Sequence, residues 1–316
     1  MTQLISKFNK IYISNSIIIF YLRFCDFDSG LIKQQKMKDF EYGSISPKEV
    51  YFFDLNGFII LKSALNKDEV KKLNECIDNI PIQESGTQYG NVHFHDYKDD
   101  GQSGLNLQQI YEAGEPFEKL IDHPAWIEHM KLFVGGQGTF DHAHGPLFID
   151  ENFVNIRGVG KAIGMHSGGY PPILRNQFRF HGNRFMCGQV NALIALTEIG
   201  PGDGATTLVP GSHKSNFEHP DLSKVRMGSE RFGELIEGAL EVHMEAGDVL
   251  VFVDGICHGS AKRSNSGFRR IAVYRYGPSW GNFRHQYRPS QKLIERLSPV
   301  QRLIVAPYTM WDQKFK

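Results

Sequence analysis

The chain has 316 residues, of which 41% are hydrophobic and 22% are charged, so it can bury a large core in one domain or two. Its 35 basic and 35 acidic residues balance, and it has no basic block of the kind that binds nucleic acid or anionic lipid. This composition argues against a nucleic-acid partner and favours a small-molecule one.

The cysteines and the N-terminus bear on the cellular compartment. Cys25, Cys76, Cys187 and Cys257 lack the C-x-x-C spacing of zinc or redox motifs, which suits a reducing compartment and predicts a cytoplasmic protein. Residues 11–25 are apolar and resemble a signal peptide or anchor, but the run is short, polar in places and without a small-residue cleavage site. We therefore expect no stable membrane insertion.

The first predicted elements are a strand and a helix. Residues 57–61 form an apolar strand, and the helix after it begins at Asn66, which makes a capping box with Glu69. Residues 84–106 are polar and rich in glycine, which predicts a loop; His93, His95 and Asp96 within it are expected to be surface residues and not metal ligands. Short helices are predicted over residues 107–112, 116–121 and 124–133.

The pattern after Gly135 is one of short apolar runs separated by Gly, Pro and Asn, as in an antiparallel sandwich or barrel. Strands are predicted over residues 147–156, 161–166, 189–197, 206–209, 240–243, 249–253 and 269–276. Residues 1–36 are treated as an extension outside the fold. Residues 37–316 are predicted to be one domain, mainly β, with a helical front (48–135) and a jelly-roll core (136–280). Asp141, His142 and His144 fall in the loop before the first of these strands and are candidates for a second ligand cluster, but nothing downstream completes the set at the right spacing.

Residues 247–276 contain a histidine and an arginine at the ends of two predicted strands. His258 follows the strand 249–253, and Arg269 begins the next one; Gly267 between them supplies a turn that is predicted to lay the two strands side by side. Arg269 shares a strand face with Ile271 and Val273, which predicts that it points inward, whereas Arg270 points outward.

The chemistry of these two residues suggests a site. A neutral imidazole binds divalent metals, and a guanidinium binds a carboxylate through two parallel hydrogen bonds. The alternative is that His258 packs at a strand end and both arginines are solvated. Cys257 and His258 point to opposite faces of a strand, which argues against a Cys/His nucleophile.

A second histidine, His166, ends a predicted strand in the segment GMHSGGY. Together, residues 51–78, the PGDG turn with VPGSHK at 209–214, HGS at 258–260 and GFR at 267–269 resemble the phytanoyl-CoA dioxygenase family of iron(II)/2-oxoglutarate oxygenases, over roughly residues 48–280. The resemblance implies a double-stranded β-helix, a cupin-like jelly roll. It also implies that His166 and His258 are iron ligands, that Arg269 binds the distal carboxylate of 2-oxoglutarate, and that Ser260 assists it. His213 resembles a structural hallmark of the family and is not counted as a ligand.

The chain departs from the family at Gly168, where the family motif His-x-Asp has its carboxylate. Three outcomes follow. Chloride could occupy the position, as in related halogenases with Gly or Ala there. Water or another carboxylate could occupy it, which would leave an oxygenase; Asp150, Glu198 and Asp203 are the candidates. Metal binding could also be weak or absent, leaving a non-catalytic binding protein.

The main prediction is an oxygenase that acts on an unactivated C–H bond of a small molecule. Phe178, Phe180, Phe185 and Trp280 are candidates for a substrate pocket, with a place in the core as the commoner alternative. No run of Lys and Arg marks a site for the phosphates of CoA.

Overall fold

The computed structural model describes residues 40–81, 86–96, 104–135, 145–160, 162–168, 173–226, 229, 231–279, 281 and 288–306. The described residues from Tyr42 onward belong to one compact unit. The predicted domain boundaries remain a prediction, and Asp141, His142, His144 and Trp280 lie outside the described residues. No described helix combines the length and apolar character that a membrane span requires.

The helices are short, and local sequence signals define several of their ends. Ser46 and Glu49 form a capping box at the first helix, with Pro47 in its first turn, and Asn66 and Glu69 form the predicted one at the second. The helices are α1 (Pro47–Asn56), α2 (Lys67–Asp78), α3 (Glu115–Glu118), α4 (Ile127–Phe133), α5 (Leu222–Val225), α6 (Gln291–Arg296) and α7 (Pro299–Val305). In the described ranges, single turns of 3₁₀ helix span Ile110–Ala113, Leu174–Asn176 and Ser212–Lys214.

The strands form two antiparallel sheets and a small hairpin. They are β1 (Phe58–Leu61), β2 (Gln88–Tyr89), β3 (Val92–Asp96), β4 (Gly104–Gln108), β5 (Phe148–Arg157), β6 (Ile163–His166), β7 (Phe180–His181), β8 (Arg184–Phe185), β9 (Val190–Ala195), β10 (Thr206–Leu208), β11 (Leu240–Val242), β12 (Val249–Val253), β13 (His258–Ser260) and β14 (Arg269–Gly277). The large sheet has the order β1-β12-β9-β14-β5-β4-β3-β2, the small sheet β11-β10-β13-β6, and β7 pairs with β8.

The large sheet is covered on both faces. Tyr274 and Tyr276 of β14 point away from the small sheet and donate to backbone carbonyls of Phe117, and of Leu120 or Ile121, so the segment around α3 packs on the outer face. The alternate residues of the same strand point toward the small sheet. The inner face of the large sheet and the small sheet enclose the cavity described below.

Several predicted elements need correction. Residues 86–96 and 104–108 are not loop, because they include β2, β3 and β4, and the helix predicted from residue 107 is the end of β4 followed by a 3₁₀ turn. The strands β12 and β14 are not side by side: β9 lies between them, and the connecting chain enters the small sheet as β13. A turn between two strands therefore did not determine which strands pair.

Candidate active site

Two histidines from neighbouring strands of the small sheet lie side by side in the cavity, with their ring planes tilted by 54°. His166 is the last residue of β6 and His258 the first of β13, and the antiparallel register places them directly opposite each other. Their ring centroids are 4.2 Å apart. The pairing of β6 with β13 thus brings together two residues that are far apart in the chain, as a shared metal ion requires.

Both rings are held in the same way by the backbone. Nδ1 of His166 is 3.0 Å from the carbonyl oxygen of Gly164, and Nδ1 of His258 is 2.7 Å from that of Ile256. A carbonyl only accepts hydrogen bonds, so Nδ1 carries the hydrogen in each ring and Nε2 carries the lone pair. Metal-binding histidines are commonly oriented by this kind of hydrogen bond.

The environment of His258 keeps its imidazole neutral. Burial, and next the neighbouring imidazole of His166, lower the pKa of His258 to about 3. A neutral imidazole is the form that binds a metal ion. The His258 ring also contacts Phe252 edge-on, with centroids 5.1 Å apart.

Gly168, at which the family motif has its carboxylate, is closely packed. Gly168 has a φ of +95°, its N–H donates to the carbonyl of Gly255 at 3.0 Å, and a Cβ added to it would lie 3.1 Å from Cβ of Cys257. Cys257 belongs to an apolar cluster with Met165, Leu222, Val225 and Ile236. A side chain at position 168 would therefore point toward this cluster.

No third His, Cys, Asp or Glu joins the two histidines among the described residues. The three predicted candidates lie elsewhere: Asp203 pairs with Arg263 at 2.8 Å, Asp150 accepts from Gln189 at 2.8 Å, and Glu198 is exposed. A metal ion held at the two imidazoles would therefore gain no further His, Cys, Asp or Glu ligand from the described part of the chain.

Arg269 lies at one end of the same cavity. Its side chain is 1% exposed, Nη2 donates to Oδ1 of Asn155 at 2.7 Å, and Nη1 donates to the carbonyl of Gly204. The next residue, Arg270, points outward and pairs with Asp78 at 2.6 Å. The strand period therefore identified the inward arginine correctly.

Ser260 lines the cavity beside Arg269, and its hydroxyl is held by a residue that the sequence analysis missed. Arg157, also 1% exposed, donates from Nη1 to Oγ of Ser260 at 2.5 Å. Arg157 lies opposite Arg269 in the pairing of β5 with β14. The alternation of Phe153, Asn155 and Arg157 on one face of β5 is the sequence signal that could have identified it.

The cavity has a volume of about 220 Å³, and the residues that line it change from polar to apolar along its length. Beyond the histidines, Leu193, Phe252, Ile271 and Val273 form an apolar section, with Phe153 on the neighbouring strand. Of the predicted aromatic residues, the three that the structure describes do not line this wall: Phe178 and Phe185 pack with Phe53 and Phe133, and Phe180 packs against Phe185. His213 packs against Phe178 and bonds to the carbonyl of Asp54, which fits the structural place expected for it.

A buried ionic network closes the end opposite Arg269. Arg275 lines the cavity, pairs with Glu151 and with Asp254 at 2.9 Å each, and lies over the Phe153 ring. Asp254 also accepts from Arg175 at 2.9 Å. The cavity therefore has a cation at each end and apolar walls between.

Fold and site together define a class of protein: a double-stranded β-helix with a histidine pair and a buried arginine in one cavity. The family model described as Phytanoyl-CoA dioxygenase (PhyH) matches residues 53–271, more than half of the chain. The chain belongs to this family, and the resemblance and fold class inferred from the sequence are confirmed. It is a dioxygenase-like enzyme of a family that depends on iron(II) and 2-oxoglutarate.

Individual relatives are distant but cover most of the chain. The dioxygenase cdmD of Talaromyces verruculosus is 22% identical over 82% of each chain. The peroxisomal phytanoyl-CoA dioxygenase of Mus musculus is 23% identical over 72% of this chain and 67% of its own. The crystal structure of HygX from Streptomyces hygroscopicus, with nickel and 2-oxoglutarate bound, superposes with a TM-score of 0.61 at 20% identity, covering 79% of this chain and 94% of that one.

Proposed function

We propose that this protein oxidises an unactivated C–H bond of a small-molecule substrate, with iron(II) bound by His166 and His258 and with 2-oxoglutarate bound at Arg269. The observation that carries the proposal is the presence of two Nε2-presenting imidazoles and a buried guanidinium in one cavity. Iron(II) with 2-oxoglutarate supplies the activation of dioxygen and the oxidising power, with release of succinate and carbon dioxide.

The histidines fit iron(II) by their chemistry. Imidazole nitrogens suit non-haem iron, and the backbone bonds of both rings fix the tautomer that binds it. With the two imidazoles as the only ligands from the described residues, a bound metal ion would keep more positions for the keto acid, dioxygen and a further small ligand than in a site with a carboxylate. Compared with a site that has a carboxylate ligand, this site has one negative charge fewer beside the metal.

The keto acid fits the end of the cavity where Arg269 and Ser260 lie. A buried guanidinium binds a carboxylate strongly because its planar donors match the two oxygens in a medium of low dielectric constant. Arg269 is held in place by Asn155 and Gly204, so little side-chain entropy is lost when the anion binds. This restraint would point the keto end of the cosubstrate toward the histidines.

The substrate is proposed to bind between the apolar wall and Arg275. Leu193, Phe252 and Val273 exclude water from the reacting carbon, and this protects an oxidising site from side reactions. Arg275 offers hydrogen bonds from a guanidinium whose charge is already balanced by Glu151 and Asp254, which suits a neutral oxygen atom of the substrate better than an anion. Hygromycin B, a small molecule, is bound in another crystal structure of HygX.

Oxygenation is favoured over halogenation by the relatives, which are named as dioxygenases. Gly168 was the sequence feature behind the halogenase alternative. Its φ of +95° and its contact with Gly255 give it a structural reason to be glycine that does not involve chloride.

Succinate formation from 2-oxoglutarate tests this function without knowledge of the substrate, because enzymes of this chemistry turn the cosubstrate over slowly on their own. We expect iron-dependent succinate release from the wild-type protein and none above background from His258→Ala. Arg270→Met, which changes an arginine on the outer face, serves as the control and should match the wild type. Release that is independent of iron, or equal in His258→Ala, would refute the proposal, and a rate that requires chloride would support the halogenase.

A further inference from the structure

The hydroxyl of Ser260 has an unusual hydrogen-bonding state. Its Oγ accepts from Arg157 Nη1 at 2.5 Å and from the backbone N–H of Ile163 at 3.1 Å. A hydroxyl oxygen has two lone pairs, so both are used, and the remaining O–H can act only as a donor. Within the described part of the chain this hydrogen has no acceptor, and Ser260 lines the cavity. The arrangement calls for a hydrogen-bond acceptor in the cavity beside Ser260.

Two buried guanidinium groups lie close together at this point. Arg157 and Arg269 are direct partners in the pairing of β5 with β14, and their side chains are on the same, inward face. Gly204 lies near both: its carbonyl accepts from Nη1 of Arg269, and a Cβ added to it would lie 3.5 Å from Nη1 of Arg157. Like charges in a medium of low dielectric constant repel each other, so a bound anion would lower the energy of the pair.

We propose that Arg157 is a second positioning cation of the 2-oxoglutarate site. It fixes Ser260 as a hydrogen-bond donor to the distal carboxylate of the cosubstrate, and its charge adds to that of Arg269. The inference rests on the proposed function, because it assumes that the anion in this cavity is 2-oxoglutarate. It extends that function by assigning to Arg157 part of the binding energy for the distal carboxylate.

The test compares two 2-oxo acids that share the metal-binding end. 2-Oxoglutarate and 2-oxobutyrate have the same keto acid group, but only the first has a distal carboxylate. Dissociation constants of both are measured by calorimetry, without oxygen, on the iron(II)-loaded protein. For Arg157→Met we expect the dissociation constant of 2-oxoglutarate to rise about 10- to 100-fold, because the variant loses one charge-assisted contact and no longer orients Ser260. The dissociation constant of 2-oxobutyrate should change less than about threefold.

Ser260 provides the second arm of the experiment. If Arg157 acts through Ser260, the losses caused by Arg157→Met and Ser260→Ala are not additive, and the double variant binds 2-oxoglutarate little more weakly than Arg157→Met alone. Arg270→Met is the matched control on the outer face and should bind both acids like the wild type. Should Arg157→Met fail to fold, Arg157→Lys replaces it; it keeps the charge but loses the planar fork, so a smaller loss confined to 2-oxoglutarate is expected.

The outcomes separate the two proposals. A wild-type protein that takes up iron but binds neither acid overturns the proposed function and this inference with it. A wild-type protein that binds 2-oxoglutarate and releases succinate, together with an Arg157 variant that binds it equally well, overturns the inference alone. Equal weakening of both acids also overturns it, because that result indicates general disruption of the cavity.

Discussion

Replacing Gly168 by aspartate would restore the family motif in sequence, but the structure predicts that it would not restore the metal ligand. The φ of +95° at this residue is costly for any side chain, and the new Cβ would lie 3.1 Å from Cβ of Cys257. The backbone strain costs about 1–3 kcal/mol and overpacking a similar amount, so Gly168→Asp should lose about 2–6 kcal/mol of stability. The carboxylate would also be directed at the apolar cluster around Cys257 and not at the histidines.

The assay has two readouts, the free energy of unfolding by denaturant titration and the dissociation constant of iron(II). Gly267→Asp is the control, because Gly267 has a φ of +79° but nothing within 4 Å of its added Cβ. Gly267→Asp should show the backbone strain without the steric crowding, and it should therefore lose less stability than Gly168→Asp. Iron affinity should stay within about threefold of wild type in both variants. The reasoning is refuted if Gly168→Asp is as stable as Gly267→Asp and binds iron more than about tenfold tighter.

Three further predictions concern residues around the cavity and the edge of the sheet. Arg269→Met should raise the KM for 2-oxoglutarate at least about 100-fold, because it removes two charge-assisted hydrogen bonds of about 1.5 kcal/mol or more each; the measurement is a steady-state succinate assay in which Arg270→Met stays at the wild-type value. Asp254→Asn should lower the free energy of unfolding by about 3 kcal/mol, because it breaks a buried ion-pair network; a loss below about 0.5 kcal/mol would contradict this. For Asp248, burial raises the pKa, but hydrogen bonds from Lys62 and two backbone N–H groups outweigh it and lower the pKa overall. The wild type should therefore be more stable than Asp248→Asn at pH 7, and the gap should shrink as pH falls below about 4, through the lowered pKa; denaturant titrations whose gap is constant or widens with acid would contradict this.

Strong local patterns predicted much of the fold. The run VLVFV predicted β12, which spans Val249–Val253 and is buried throughout, and the capping box at Asn66 predicted the start of α2. The apolar residues that alternate with Arg269 predicted the inner face of β14. These elements are determined by residues close together in the chain, so the sequence alone predicts them.

The strands that were missed are stabilised by distant partners. Residues 86–108 read as loop because they are polar, yet β4 is part of the large sheet: Asn106 accepts from Asn155 at 2.9 Å, and Gln108 donates to Glu151 at 3.2 Å, both inside the protein. Polar side chains are stable in such a sheet when the neighbouring strand satisfies them. That condition depends on which strands pair, and it cannot be read from one segment.

The candidate site also contains residues that the sequence predicted and a residue that it did not. Sequence resemblance pointed to His166, His258, Arg269 and Ser260, and the structure brings these four into one cavity. Their catalytic and binding roles remain a proposal. The alternation along β5 could have placed Arg157 on the inner face, but its contact with Ser260 connects the two sheets, and local sequence does not show which residues meet across them.

The most direct measurement of the central claim is the visible absorption spectrum of the protein with iron(II) and 2-oxoglutarate in the absence of oxygen. When the two histidines and the cosubstrate meet at one iron, a weak metal-to-ligand charge-transfer band is expected in the wild type, and it should be missing from His258→Ala. A wild-type protein without this band at saturating iron and 2-oxoglutarate would contradict the claim and leave a jelly-roll binding protein.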